Sequence, residues 1–143
     1  MKPALREAYM KVAEVFATLS RAKRRKVGAV IVRNGIIAEG YNGTPSGWNN
    51  SCEGPDGLTL PEVVHAEQNA LDKLVRSGVA SQGAVLFVTT APCIDCAKRI
   101  QGAGISSVFY REVYRSDDGL KHLAKAGIPA ILMEAKGDTN GSL

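Results

Sequence analysis

Two short stretches hold the residues best suited to chemistry: HAE at 65–67 and PCIDC at 92–96. Cysteines three apart at a helix start stand on one face, so both sulfurs can reach a single ion. The positive end of a helix favours anions, which helps hold the thiols of Cys93 and Cys96 as thiolates, the form that binds metal. Two thiolates and an imidazole suit zinc, so His65, Cys93 and Cys96 are the candidate ligands. Three protein ligands leave the fourth tetrahedral position to water, whose pKa zinc lowers toward neutrality. Glu67, two residues beyond His65, points away from the ligand direction and beside that open position. A carboxylate there can take a proton from the water and return it to a leaving group.

Each piece has a plainer explanation. A lone histidine at a helix start is usually a cap or a surface residue, a lone C-x-x-C can be a redox pair, and a glutamate in a first turn can simply complement the helix dipole. The joint occurrence favours chemistry, because both halves fall at helix starts. A stronger alternative uses Cys52, in the loop before His65, as a fourth ligand. That would close the site and make the zinc purely structural. It ranks lower because it leaves Glu67 and Pro92 without a role. Cys52 then reads as a free or packing thiol, and His122 as a surface or partly packed residue.

The elements that must position these residues follow from periodicity. Pro3 followed by Leu5, Ala8, Tyr9, Val12, Val15, Phe16 and Leu19 predicts a first helix. VGAVIV and IIAEGY flank Asn34-Gly35, a hairpin signal. From Tyr41 to Pro61 no period survives, and an irregular stretch of that length is usually functional or mobile. A second helix is predicted from about Val63 to Ser77, with Ala66, Ala70, Leu71, Leu74 and Val75 on its core face and Gly78 as its stop. AVLFVTT reads as a buried strand, Pro92 opens a third helix to about Gln101, and SVFYREV is a fourth strand. Ser116 or Asp117 caps a fourth helix ending near Gly127, and PAILME forms a fifth strand. A hairpin followed by alternating helices and strands implies an α/β fold, a mixed five-stranded sheet with helices on both faces. Helices two and three should lie side by side with both N-termini at one sheet edge. Residues 1–135 are expected to form a single domain, with a frayed tail at 136–143.

Composition narrows the class. A chain of 143 residues fits one domain, and 45% hydrophobic with 22% charged residues is ordinary globular content. No apolar run approaches a membrane span, and MKPALREAYM has charge where a signal peptide needs an apolar core, so a cytoplasmic protein is expected. Three cysteines cannot all pair, which favours metal or redox chemistry over a disulfide framework. The net charge of +4 owes much to RAKRRK at 21–26, which holds five of the eighteen basic residues. The run is either a solvated loop or a contact for a phosphate-bearing partner.

HAE followed by PCIDC is the H-x-E and P-C-x-x-C pattern of zinc deaminases. With KVGAVIV, GYNGTPSG, HAEQNA, VTTAPCIDCAK, Gly104-Ile105 and VFYREVY in the same order, nearly the whole chain resembles the cytidine deaminase superfamily, and within it the deoxycytidylate (dCMP) deaminases. The resemblance implies a three-layer α/β/α fold, and one zinc per chain on His65, Cys93 and Cys96, with Glu67 as proton shuttle. It implies attack at C4 of cytosine in dCMP, release of ammonia and formation of dUMP. It further implies nucleotide contacts by Asn42, Ala66 and Tyr114, a phosphate contact by Lys26, and a role for Arg76 near the site and subunit contacts. Gly40, Tyr41, Asn42 and Gly43 are read as an effector or nucleotide loop. The family pattern implies a homo-oligomer, a hexamer by that likeness, activated by dCTP with Mg2+ and restrained by dTTP. Some members carry a second, structural zinc on extra cysteines and histidines before HAE; here that segment holds only Cys52. The rival substrates are a tRNA adenosine, which would use the basic run on nucleic acid, and pterin- or riboflavin-pathway compounds; GYNGTP and Tyr114 argue against them. A rival of another kind is a non-catalytic, zinc-stabilised binding module, which needs Cys52 as ligand.

Overall fold

The computed structural model describes residues 1–135; the tail expected at 136–143 lies outside the described residues. The elements run α1 (Pro3–Ala17), β1 (Gly28–Val32), β2 (Ile36–Tyr41), α2 (Ala66–Ser77), β3 (Val85–Thr90), α3 (Ile94–Gly102), β4 (Ser107–Glu112), α4 (Asp118–Lys125) and β5 (Ala130–Leu132). The sheet order is β2-β1-β3-β4-β5. β1 pairs antiparallel with both β2 and β3, whereas β3–β4 and β4–β5 are parallel, so the expected mixed sheet forms. Asn34 at φ 56° and Gly35 at φ 114° close the hairpin between β1 and β2.

Strand side chains alternate between two cores, as a period of two requires. Ala29, Ile31, Leu86, Val88, Val108 and Tyr110 pack with Ala66, Ala70, Leu74, Ala97, Ile100 and Leu123 of the helices on one face. Val30, Val32, Phe87 and Phe109 face the other way, onto Met10 and Ala13 of α1. The sheet is therefore sandwiched, with α2, α3 and α4 on one face and α1 on the other. Among the described residues no helix is long and apolar enough to cross a membrane.

Several boundaries differ from the periodicity reading. α2 starts at Ala66 rather than Val63, because the Val64 backbone is already paired with Gly43 in both directions (3.1 and 2.8 Å). α3 starts at Ile94, so Pro92 precedes its cap, Cys93, instead of opening the helix. Val75 is 79% exposed and not part of the core face. It follows Leu74 by one residue, a rotation of about 100° away from the buried stripe. At α4 the N-cap residue is Asp117, but the hydroxyl serving the first turn is that of Ser116, which accepts from the Asp118 N–H (3.2 Å). His122 is half-buried with its ring nitrogen 2.6 Å from Gln101 Oε1.

Candidate metal centre and pocket

His65 and Cys93 are the N-cap residues of α2 and α3, and both have extended backbone. Each therefore projects from the last residue before its helix, and Cys96 comes up from the first turn of α3. His65 Nδ1 lies 3.3 Å from Cys96 Sγ and 3.5 Å from Cys93 Sγ. All three donor atoms lie within 4.8 Å of one another. Tetrahedral zinc with bonds of ~2.0–2.3 Å sets its ligand atoms about 3.5–3.8 Å apart, so the cluster fits that ion. Among the described residues no fourth His, Cys, Asp or Glu belongs to the cluster. Cys52 is buried and lines the adjoining pocket, with Sγ 3.7 Å from the Asn50 carbonyl, but it stands outside the donor group.

The three donors share protons unequally: Cys93 is held as the thiolate, while its neighbours keep their protons. The Cys93 thiol is pulled down to about 4, first by the hydrogen bond from Cys96 and further by His65, against burial. Cys96, which donates that bond and is buried, is pushed up. The His65 imidazole is raised, chiefly by its hydrogen bond to Cys93. Glu67, in the first turn of α2, is 4% exposed, and burial pushes its carboxyl up to about 7.

His65, Glu67 and Cys93 line a pocket of about 620 Å³. Asn42, Ala66 and Tyr114, the expected nucleotide contacts, also line it. The Asn42 amide is already engaged: Oδ1 accepts from the Val27 N–H (2.9 Å) and Nδ2 donates to the Arg25 carbonyl (2.8 Å). It thereby straps the basic run to the end of β2. Lys26 is exposed and does not line the pocket; Arg24, Arg25 and Arg115 do. Arg76 is exposed in the last turn of α2, ten residues beyond Ala66 and so roughly 15 Å along the helix.

The segment 40–43 is less loop-like than expected. Gly40 and Tyr41 belong to β2, and a Cβ on Gly40 would stand 2.6 Å from the Ala66 carbonyl and 2.8 Å from the Ala70 nitrogen. Its bareness lets α2 lie directly on β2. The Tyr41 carbonyl accepts from Asn69 Nδ2 (2.8 Å), and Gly43 pairs with Val64. Gly119 acts similarly at the other ligand strand: a Cβ there would collide with the Pro92 carbonyl and Cys93, so α4 buttresses the cap of α3.

Sequence reasoning offered the run 21–26 as a phosphate contact without singling out Arg24 and Arg25, and it missed Arg115, Glu53 and Thr90 on the pocket wall. Glu53 Oε2 accepts from the Lys23 and Arg24 N–H groups (2.9 and 3.1 Å), which folds the irregular loop over the basic run. The available signal for Glu53 was an irregular loop with two acidic residues, Glu53 and Asp56, about thirty residues after a basic run.

Residues 3–112 match the family model described as the cytidine and deoxycytidylate deaminase zinc-binding region. A deoxycytidylate deaminase of Saccharomyces cerevisiae is 40% identical over 139 residues, covering 90% of this chain and 44% of the relative. The chain thus spans less than half the length of that yeast protein. ComE operon protein 2 of Bacillus subtilis is 38% identical over 132 residues, covering 88% of this chain and 69% of the relative. Among solved structures, the dCMP deaminase of cyanophage S-TIM5, in complex with dCMP and dUMP, superposes with a TM-score of 0.91. It is 51% identical, and the match covers 93% of this chain and 99% of that one.

Proposed function

Because the chain belongs to the cytidine and deoxycytidylate deaminase zinc-binding family, we propose that it is a zinc enzyme that hydrolyses dCMP to dUMP and ammonia. One observation carries the reading: a three-donor cluster, with no fourth His, Cys, Asp or Glu among the described residues, borders a pocket that a buried carboxylate, Glu67, also lines. In this reading His65, Cys93 and Cys96 hold the ion. Zinc supplies Lewis acidity that makes a water nucleophilic near neutral pH. Glu67 accepts the proton of the attacking water on its carboxylate and delivers it to the departing amine. Its burial keeps the protonated and ionised forms close in energy. Ala66, Thr90 and Ala91 line the same pocket as His65, Glu67 and Cys93.

Arg24, Arg25 and Arg115 concentrate positive charge on the same pocket, which suits the 5′-phosphate of a nucleotide better than a neutral nucleoside. They take the role first given to Lys26. Tyr114 offers an aromatic wall, with the Arg115 guanidinium 5.3 Å over its ring. Asn42 acts by holding the Arg25–Val27 segment in place, while Arg76, on the exposed helix end, is left for a subunit contact. The described residues act as one deaminase domain, in a reducing cytoplasm where the three cysteines stay reduced rather than paired in disulfides.

The reading extends to a homo-oligomer, hexameric by family likeness, activated by dCTP with Mg2+ and restrained by dTTP. Its structural support is the Gly43–Val64 pairing, which ties the 40–43 segment to the residue preceding His65. An effector held there can bias the ligand helix; couplings of this kind are typically ~5–150-fold in affinity.

The test is a deamination assay on cytidine, dCMP and dCTP with zinc content measured on the same sample. The reading requires selective turnover of dCMP; equal efficiency on the nucleoside would remove the phosphate argument. Saturation curves with dCTP and Mg2+, and with dTTP, test regulation: superimposable hyperbolas from a monomer would exclude it.

A further inference from the structure

Thr90, the last residue of β3, is 4% exposed, and its Oγ1 has no hydrogen-bond partner among the described residues. Buried hydroxyls are nearly always bonded, so an orphan in a native fold calls for an explanation. The neighbouring Thr89 follows the rule, its Oγ1 accepting from the Gly28 N–H (3.2 Å). Alternation along β3 puts Thr90 on the opposite face, the one shared by Leu86, Val88 and helices α2 and α3. On that face Thr90 lines the pocket with Glu67, Ala91 and Cys93. A turn about χ1 is the single motion needed to exchange its methyl and hydroxyl.

We propose that Thr90 is a substrate-binding residue whose hydroxyl hydrogen-bonds a polar atom of the pyrimidine ring at the reacting end of the pocket. This rests on the pocket being a nucleotide site, as read above. The assignment to the base follows from position. Thr90 lies three residues before Cys93 and beside Glu67, whereas the charged groups suited to phosphate are Arg24, Arg25 and Arg115. A hydroxyl both donates and accepts, so it can serve the ring carbonyl or the ring nitrogen. No protein group among the described residues satisfies the hydroxyl, and a bound base would supply a partner. That difference makes Thr90 a source of discrimination for a polar ring over an apolar one of similar shape.

The test compares wild type, Thr90→Val and Thr90→Ser as zinc-loaded enzymes. Valine keeps the shape and removes the orphan, so the ligand-free Tm should rise by ~2–4 °C. At the same time kcat/KM for dCMP should fall by about 3- to 10-fold, with zinc content unchanged. Thr90→Ser should restore turnover. A hydroxyl that only braces the fold predicts the reverse: a lower Tm for Thr90→Val with unaltered kinetics, and either of those results overturns the proposal. If wild type fails to turn over dCMP, the functional reading falls, and the ligand-free Tm alone then decides whether Thr90 is an orphan held for a ligand.

Discussion

Glu67 reaches its position by a short route: a two-residue step from His65 carries it into the first turn of α2, almost sealed from solvent. A carboxylate there has a proton to move and no place in the donor cluster. Glu67→Gln keeps the volume and loses the proton shuttle. Deamination should drop by ~10²–10⁴-fold while zinc stays bound, with metal content and turnover measured on one preparation. Loss of zinc in that variant would make Glu67 a ligand instead. Cys52 supplies the complementary case, buried on the same pocket but outside the donors. Cys52→Ser should leave zinc stoichiometry and activity almost unchanged; a variant that sheds zinc and unfolds would restore the closed four-ligand site.

At the scale of elements, two contacts set where the ligand helices sit. Gly40 lets α2 press against β2, and α2 carries both His65 and Glu67. Gly40→Ala forces the two apart, so it should destabilise by about 1–3 kcal/mol and weaken zinc binding, read by denaturation midpoint and metal competition. A glycine needed only for an effector would leave the ligand-free protein unchanged. On the other face, Arg111 of β4 clamps α1 through a bidentate pair with Glu7 (3.3 and 2.7 Å) and a contact with Glu14, and it donates to the Glu134 carbonyl (3.0 Å). The Arg111 side chain is 7% exposed. Arg111→Met leaves the buried Glu7 carboxylate without that guanidinium and should cost about 3–5 kcal/mol in urea unfolding. Turnover below the unfolding transition should survive, because the clamp lies across the sheet from the pocket.

For the whole molecule, the donor cluster is a cross-link between the starts of two helices that are separate in sequence. Binding free energy at such a site adds to the stability of the folded state. Chelation should therefore abolish turnover and lower Tm by ~5–10 °C relative to protein with free zinc about a hundredfold above its Kd, and zinc should restore both. Equal Tm with and without metal would mean that the cluster holds no ion.

What the chain alone determined was whatever is local. The continuous apolar run of AVLFVTT and the helical spacing of HAEQNALDKL are features that a single segment displays without its neighbours. The donors were legible for the same reason, since each sits within three residues of a helix start. Even there the boundary was decided by partners: Val64 is spent on Gly43, and Gly119 pins Cys93. Val75 was expected on the core face and still faces solvent, because it is turned about 100° from Leu74, which takes the buried stripe at that level of the helix. The glycine of Gly40 reads alike whether a phosphate or a helix comes close to it. The pocket wall was the least legible part. Glu53 meets the Lys23 and Arg24 backbone across thirty residues, and that contact selects Arg24 and Arg25 over Lys26. In an irregular loop no period fixes which side chain turns inward, so only long-range hydrogen bonds formed in the folded chain could decide it.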